Sequence, residues 1–218
     1  MKLYFTRHGK TQWNQEKRFQ GMMGDSPLLP ESKEAIKMLG KELKDVPLEK
    51  IYTSTLKRAY LTAEGINNQL TQPTEIVRSE DLRELGLGKL EGQLIPVIEE
   101  RYPKDMVNLR HHLDLYDPAP FDGEKIEDML NRINHLVEQA VAEAEEGPLL
   151  FVGHGAALTA AIQALMGKPL SQLREMGGLF NNSLTILEAA SSKPPYELIQ
   201  WNDVSFLEGT GAKPDSLL

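Results

Sequence analysis

Cysteine is absent from the 218-residue chain, which excludes disulfides, thiolate nucleophiles and thiolate-bound metals. That absence suits a reducing compartment, and a cytoplasmic location is expected. Positive charge is in short supply: 24 Lys and Arg face 32 Asp and Glu, a net charge of -8. Neither nucleic acid nor an anionic membrane surface is therefore an expected partner. An anionic ligand would have to be gripped by a local cluster of cations. Long hydrophobic runs are missing too. The most apolar stretch, "PLLFVGHGAALTAAIQALMG" (148–167), holds His154, Thr159 and Gln163, so it reads as strand, turn and packed helix, not as a membrane span. The first residues enter a strand-like stretch directly, and no signal segment is expected.

What is present is ordinary for a globular enzyme: 40% apolar and 26% charged residues, in a length that suits one α/β domain. Short β-prone runs occur at 2–7, 50–54, 75–79, 149–153, 183–189 and 196–202. Between them, apolar residues at helical spacing predict helices within 30–45, 56–69, 124–146 and 156–166. Ser54 or Thr55 is placed to cap the second, and Asp122 or Gly123 the third. Such alternation predicts a three-layer α/β/α fold with a mostly parallel sheet of about six strands. Residues 80–122 break the pattern with Gly86, Gly88, Gly92, Pro96, Pro103, Pro118 and Pro120. They read as an insert of loops and short helices over the site. One domain is expected over 1–208, with a flexible tail at 209–218.

Three polar clusters stand where apolar strands end: Arg7-His8, Ser54 to Arg58, and Gly153-His154-Gly155. In parallel sheets, ligands bind beyond the carboxyl ends of the strands. Both strand-end histidines have a glycine next to them, which removes a side chain from a ligand's path. The other histidines lack this setting. His111 and His112 are adjacent and diverge, and His135 sits on the long helix.

These segments have the order and spacing of a known family. "TRHGKTQWN" (6–14) resembles the signature of the histidine phosphatase superfamily, in its phosphoglycerate mutase-like branch. "RFQG" (18–21), "DSPL" (25–28) and "YTSTLKRAYLTAE" (52–64) are similar to its next blocks. So are "LRELGLGKLEG" (82–92), "DGEKIEDMLNRI" (122–133), "VGHGAAL" (152–158) and "NNSLTILE" (181–188). The resemblance covers most of the chain. It implies a phosphoryl-transfer enzyme in which His8 is the nucleophile, and the chemistry of the residues agrees. A neutral imidazole can take a phosphoryl group and divide one hard displacement into two. Its other ring nitrogen must then be held by a backbone carbonyl.

Arg7 and Arg58 suit the equatorial phosphoryl oxygens, because guanidinium binds phosphate bidentately and keeps its proton. His154, when protonated, would be a third donor, Asn14 a neutral fourth, and the Gly155 N–H a fifth. Glu84 is the expected general acid, either protonated near neutral pH or taking a proton when substrate binds. Thr11, Gln20, Gly21, Thr55 and Arg83 are candidate substrate contacts. With so many donors, no metal and no cofactor are expected.

Position 10 departs from the family pattern, with Lys where Glu or Gln is usual. Either its side chain points to solvent or it adds a tuning charge near His8. The insert carries Arg101, Lys104 and Arg110 but no adjacent arginine pair, amid Glu99, Glu100, Asp105, Asp114 and Asp117. This favours a small-molecule phosphomonoesterase over a 2,3-bisphosphoglycerate-dependent mutase, which must hold a second phosphate and exclude water. A non-catalytic phospho-ligand or protein-binding module on the same fold is the remaining alternative. Nothing in the sequence sets the oligomeric state, a homodimer being one option.

Overall fold

The computed structural model describes residues 1–145 and 147–208; the tail expected at 209–218 lies outside them. Six strands form one sheet: β1 (Lys2–Arg7), β2 (Lys50–Ser54), β3 (Glu75–Ser79), β4 (Leu149–Gly153), β5 (Leu184–Glu188) and β6 (Glu197–Asp203). Their order is β3-β2-β4-β1-β5-β6. The first four in that order run parallel, and β5 and β6 close the edge antiparallel. The helices are α1 (Gln12–Gln15), α2 (Pro30–Glu42), α3 (Lys57–Asn67), α4 (Ile95–Arg101), α5 (Pro103–His111), α6 (Ile126–Glu143) and α7 (Gly155–Leu165).

The strand period of two sorts the core into two layers. Leu3, Phe5, Tyr52, Leu149 and Phe151 face α6, α7 and the insert. Tyr4, Ile51, Leu150 and Val152 face α2 and α3. Scarce aromatics are concentrated here. Phe5 stacks on Phe151 at 5.0 Å between ring centroids, and Tyr52 on Phe151 at 5.4 Å. All three occupy one level across β1, β4 and β2. No helix among the described residues is long and apolar enough to cross a membrane.

Two expected caps are not found. α3 begins after Leu56 with no side-chain cap of its own. Ser54 Oγ accepts from the Leu56 N–H, while Asp25 reaches in from a distant loop to accept from the Lys57 N–H at 2.7 Å. Thr55 does not cap it. α6 begins after Lys125, again without a side-chain cap. Asp122 instead turns the chain in the left-handed region at φ 54°, and Gly123 N–H bonds to Pro118 O. The helix also stops at Glu143, where Ala144 turns to extended backbone, and the Glu49 carboxylate accepts from the N–H groups of Glu145 and Gly147; the expected end at 146 lies outside the described residues. The insert is helical and irregular by turns, as its prolines and glycines imply.

Candidate active site

Strand register brings the two histidines together. Arg7 pairs with Gly153 at the ends of adjacent parallel strands β1 and β4, so the next residue of each strand leaves the sheet at the same level. His8 N–H donates to Gly153 O at 3.0 Å, and Asn181 Nδ2 holds the His8 carbonyl at 2.8 Å. The two imidazoles lie 5.2 Å apart between centroids. Both are buried.

The His8 tautomer follows from its partner. Gly9 O lies 2.8 Å from Nδ1, and a carbonyl only accepts, so Nδ1 carries the proton and Nε2 the lone pair. Arg58 Nε approaches that lone pair at 3.2 Å. Burial pushes the His8 pKa well below the usual histidine value, and Arg58 and Arg7 push it further. The imidazole is therefore neutral, as a nucleophile must be. His154 is shifted the same way, by burial first and then by Arg58, His8, Arg132 and Arg7. In the unliganded protein burial and the neighbouring cations thus favour the neutral ring. Neither of its ring nitrogens has a hydrogen-bond partner among the described residues. A phosphate dianion between the rings would supply both the partner and the charge that favours protonation.

Arg7 is held by Leu179 O, which accepts from Nη1 at 2.8 Å. Its guanidinium lies flat against Gly155, where an added Cβ would stand 3.0 Å from Arg7 Nε. A side chain at 155 would displace this cation, which is one physical need for glycine after His154. Arg58 is fully buried. Its Nη1 donates to Gly24 O and Asp25 Oδ1 at 2.7 and 3.0 Å, and Nη2 to Gly21 O at 3.0 Å. Most of its donors are thus engaged by the 21–25 segment, and a two-point grip on phosphate requires Nε to leave His8. Gln20 completes this wall. With its amide oxygen toward Arg58 Nε at 2.9 Å, its nitrogen donates to the Thr11 and Ser26 hydroxyls.

Thr11 acts through Asn14. It caps α1, and its N–H and hydroxyl both address Asn14 Oδ1 at 3.0 Å, which leaves Asn14 Nδ2 for a ligand. Glu84 is buried, and its carboxylate accepts from Leu85 N–H (2.8 Å), Ala156 N–H (3.0 Å) and Ala157 N–H (2.7 Å). It caps α7 from a distant segment. A helix N-terminus favours negative charge, so this one is occupied by the protein's own carboxylate before any substrate arrives.

Arg7, His8, Asn14, Gln20, Glu84 and Gly155 line one cavity. It holds about 30 Å³, room for a water molecule or two. A phosphate ester therefore needs its wall to part. That wall is the 17–28 segment, tied to the insert by Phe19 N–H to Gln93 O and Ile95 N–H to Lys17 O. Among the candidate contacts, Thr11, Gly21, Thr55 and Arg83 do not line the cavity, and Arg58 and His154 lie behind His8 outside its lining. Gly21 serves Arg58 with its carbonyl, and Arg83 pairs with Glu80 on its own turn. Lys10 does not line it either; its carbonyl accepts from Leu29 N–H and Ser32 Oγ at the start of α2.

Sequence reasoning passed over Arg18, Phe19, Ile95 and Ala156 in the lining. It also assigned no role to three buried or half-buried supports. Asp25 and Arg132 stood inside recognised blocks, which was the available signal. Arg174 had none. It is buried, its Nη1 donates to Ala156 O at 3.3 Å, and burial lowers its pKa to about 10. Arg132 grips Glu124 with two bonds of 2.7 and 2.9 Å and donates to the carbonyls of Asp81, Arg83 and Glu84. It therefore fixes the backbone that carries Glu84. Arg132→Ala is expected to lower kcat about 10²-fold through misplacement of that carboxylate. Arg132→Lys should recover part of the loss, and the loss should be greatest for substrates with poor leaving groups.

A family model describing the histidine phosphatase superfamily (branch 1) matches residues 3–204. The chain belongs to that superfamily. As a histidine phosphatase relative it is a phosphoryl-transfer enzyme. It is 30% identical over 178 residues to phosphoserine phosphatase 1 of Hydrogenobacter thermophilus, covering 81% of this chain and 82% of the relative. It is equally 30% identical over 172 residues to a probable phosphoglycerate mutase GpmB of Citrobacter koseri, covering 78% and 76%. The solved structure of Bacillus stearothermophilus YhfR superposes with a TM-score of 0.86 at 34% identity, covering 95% of this histidine phosphatase and 99% of YhfR.

Proposed function

We propose that this histidine phosphatase hydrolyses small phosphomonoesters through a phosphohistidine on His8, with no metal ion. The observation that carries the reading is the His8 ring: Nδ1 held by Gly9 O, Nε2 unprotonated, and Arg58 and the His154 ring beside it. On substrate binding, Arg58 Nε moves from His8 Nε2 to the phosphoryl oxygens, joined by Arg7, Asn14 Nδ2 and His154. His8 Nε2 attacks phosphorus, the P–O bond to the leaving group breaks, and the alkoxide takes a proton from Glu84. Glu84 takes that proton from solvent as the substrate's negative charge arrives, with one oxygen turning from the α7 amides to the ester oxygen. A water then gives its proton to Glu84 and attacks the phosphohistidine, releasing inorganic phosphate and neutral His8, and Glu84 returns its proton to solvent as it closes back on the α7 amides. Fixed cations and dipoles around the equatorial oxygens supply the main catalytic term.

Hydrolysis is favoured over mutase work by the state of the insert's cations. Arg110 is paired with Glu99, Arg101 lies over the Tyr102 ring, and neither lines the reaction cavity. The insert therefore brings no arginine to the cavity for a second phosphate. The GpmB likeness gives the mutase reading its support. A panel of phosphomonoesters, followed by phosphate release with and without EDTA and 2,3-bisphosphoglycerate, tests both. Phosphate release unchanged by EDTA is expected. Loss of activity in EDTA would overturn the metal-free mechanism, and bisphosphoglycerate-dependent isomerisation without net phosphate release would make the protein a mutase. A non-catalytic module would bind phosphate and label no histidine.

The acid role has its own readout. Glu84→Gln is expected to lower kcat on alkyl phosphates about 10²–10⁴-fold. With p-nitrophenyl phosphate, whose leaving group departs unprotonated, the loss should be far smaller. Equal losses on both substrates would remove Glu84 from proton transfer.

A further inference from the structure

Arg58, whose Nε meets His8, lines a separate cavity that His8 does not reach, in the cleft between α2 and α3 beneath the 25–28 loop. Its volume is about 540 Å³, within the range of small-molecule sites. The floor is apolar, formed by Leu28, Ile36 and Leu61. Lys57, Leu61 and Gly65 follow one another at a spacing of four, one face of α3. At Gly65 the two helices close: an added Cβ would lie 2.5 Å from Ile36 Cγ2. Leu61 remains 36% exposed, an apolar wall open to a ligand among the described residues.

The mouth is positive in a protein that is acidic overall. Lys33 and Lys57 are its exposed cations, and Asp25 is the one acid among its lining residues. Asp25 is already committed, with Oδ1 to Arg58 Nη1 and Oδ2 to the Lys57 N–H. Lys33 and Lys57 form no ion pair among the described residues. Both sit in the first turn of their helices, where the helix dipole already presents positive charge and a lysine is the unfavourable sign. An apolar cleft with two uncompensated ammonium groups at its lip has the complementarity of an amphiphilic anion. Its enclosure between two helices suits a small molecule and not a flat lipid surface.

We propose that this cleft is a second ligand site for a small amphiphilic carboxylate, its alkyl or aryl body on Leu28, Ile36 and Leu61 and its charge at Lys33 and Lys57. The site is separate from the His8 pocket: the two have no lining residue in common, and Arg58 links them, with Nε on His8 and Nη1 on Asp25. Calorimetric titration of the whole chain with sodium octanoate, below its micelle concentration, tests this. One binding event is expected. The Lys33→Glu/Lys57→Glu variant should weaken it at least about tenfold, and 1-octanol should bind at least about tenfold more weakly than octanoate. Both lysines are exposed, so the variant should fold, and its phosphatase activity serves as the check. Inorganic phosphate, added to fill the His8 pocket, should leave octanoate binding within about twofold. Absence of binding, equal binding by the double variant, or displacement by phosphate would each overturn the proposal.

Discussion

His8→Ala is expected to lower kcat by at least about 10⁴-fold while the fold is retained. The size follows from what the ring does. It is the group that bonds to phosphorus, so the variant must rely on direct attack by water, with Arg7 and Arg58 still binding the ester. Its KM should therefore change less than its kcat. The decisive measurement is denaturing quench after mixing with ³²P-labelled substrate. Wild-type protein should carry acid-labile, alkali-stable label, and the variant should carry none. Normal turnover by His8→Ala would end the phosphohistidine reading. A label retained on the variant would move the nucleophile elsewhere, and His154 would be the first residue to test.

A steep loss of stability below neutral pH is the second large effect. Both His8 and His154 have folded-state pKa values lowered by burial and by neighbouring arginines. In the unfolded chain each titrates near its ordinary value, about 6.5. As pH falls through that value, the unfolded state takes up protons that the native state refuses. The contribution is thus complete above about pH 6.5 and is lost as pH drops toward the lowered native values. Well below that unfolded value the two rings together contribute a slope that approaches about 3 kcal/mol per pH unit. Carboxylates add a background of their own, so the comparison is with a His8→Gln/His154→Gln variant. Urea unfolding at about pH 7, 6 and 5 should show the variant's slope shallower by about that amount. Inorganic phosphate should also flatten the wild-type slope, because a bound dianion favours the protonated rings. Equal slopes in variant and wild type would mean that the rings are not buried neutral.

The legible part of this protein was local. The β-prone run "KLYFTR" and the unbroken apolar run "LLFVG" marked central strands, and both lie where they were expected, buried on both faces. The residues that follow them, His8 and His154, could be read as a pair because strand ends of a parallel sheet share one edge. The match to a family's ordered blocks then supplied the chemistry. The helix caps were misread for the same reason that the strands were read well. A local rule looks a few residues away, and Ser54, Thr55, Asp122 and Gly123 were the nearest polar or cap-forming residues. The groups that satisfy the helix starts at the site are Asp25 on α3 and Glu84 on α7, both from remote segments.

Sequence alone therefore determined the architecture, the two histidines and the class of reaction, because periodicity and motif order are properties of a line. The protonation of His154, the closure of Arg58 onto 21–25, the support of Glu84 by Arg132 and the lysine-rimmed cleft were decided by tertiary structure. Each depends on which groups are withdrawn from water together, and burial and distance exist only once the chain has folded back on itself.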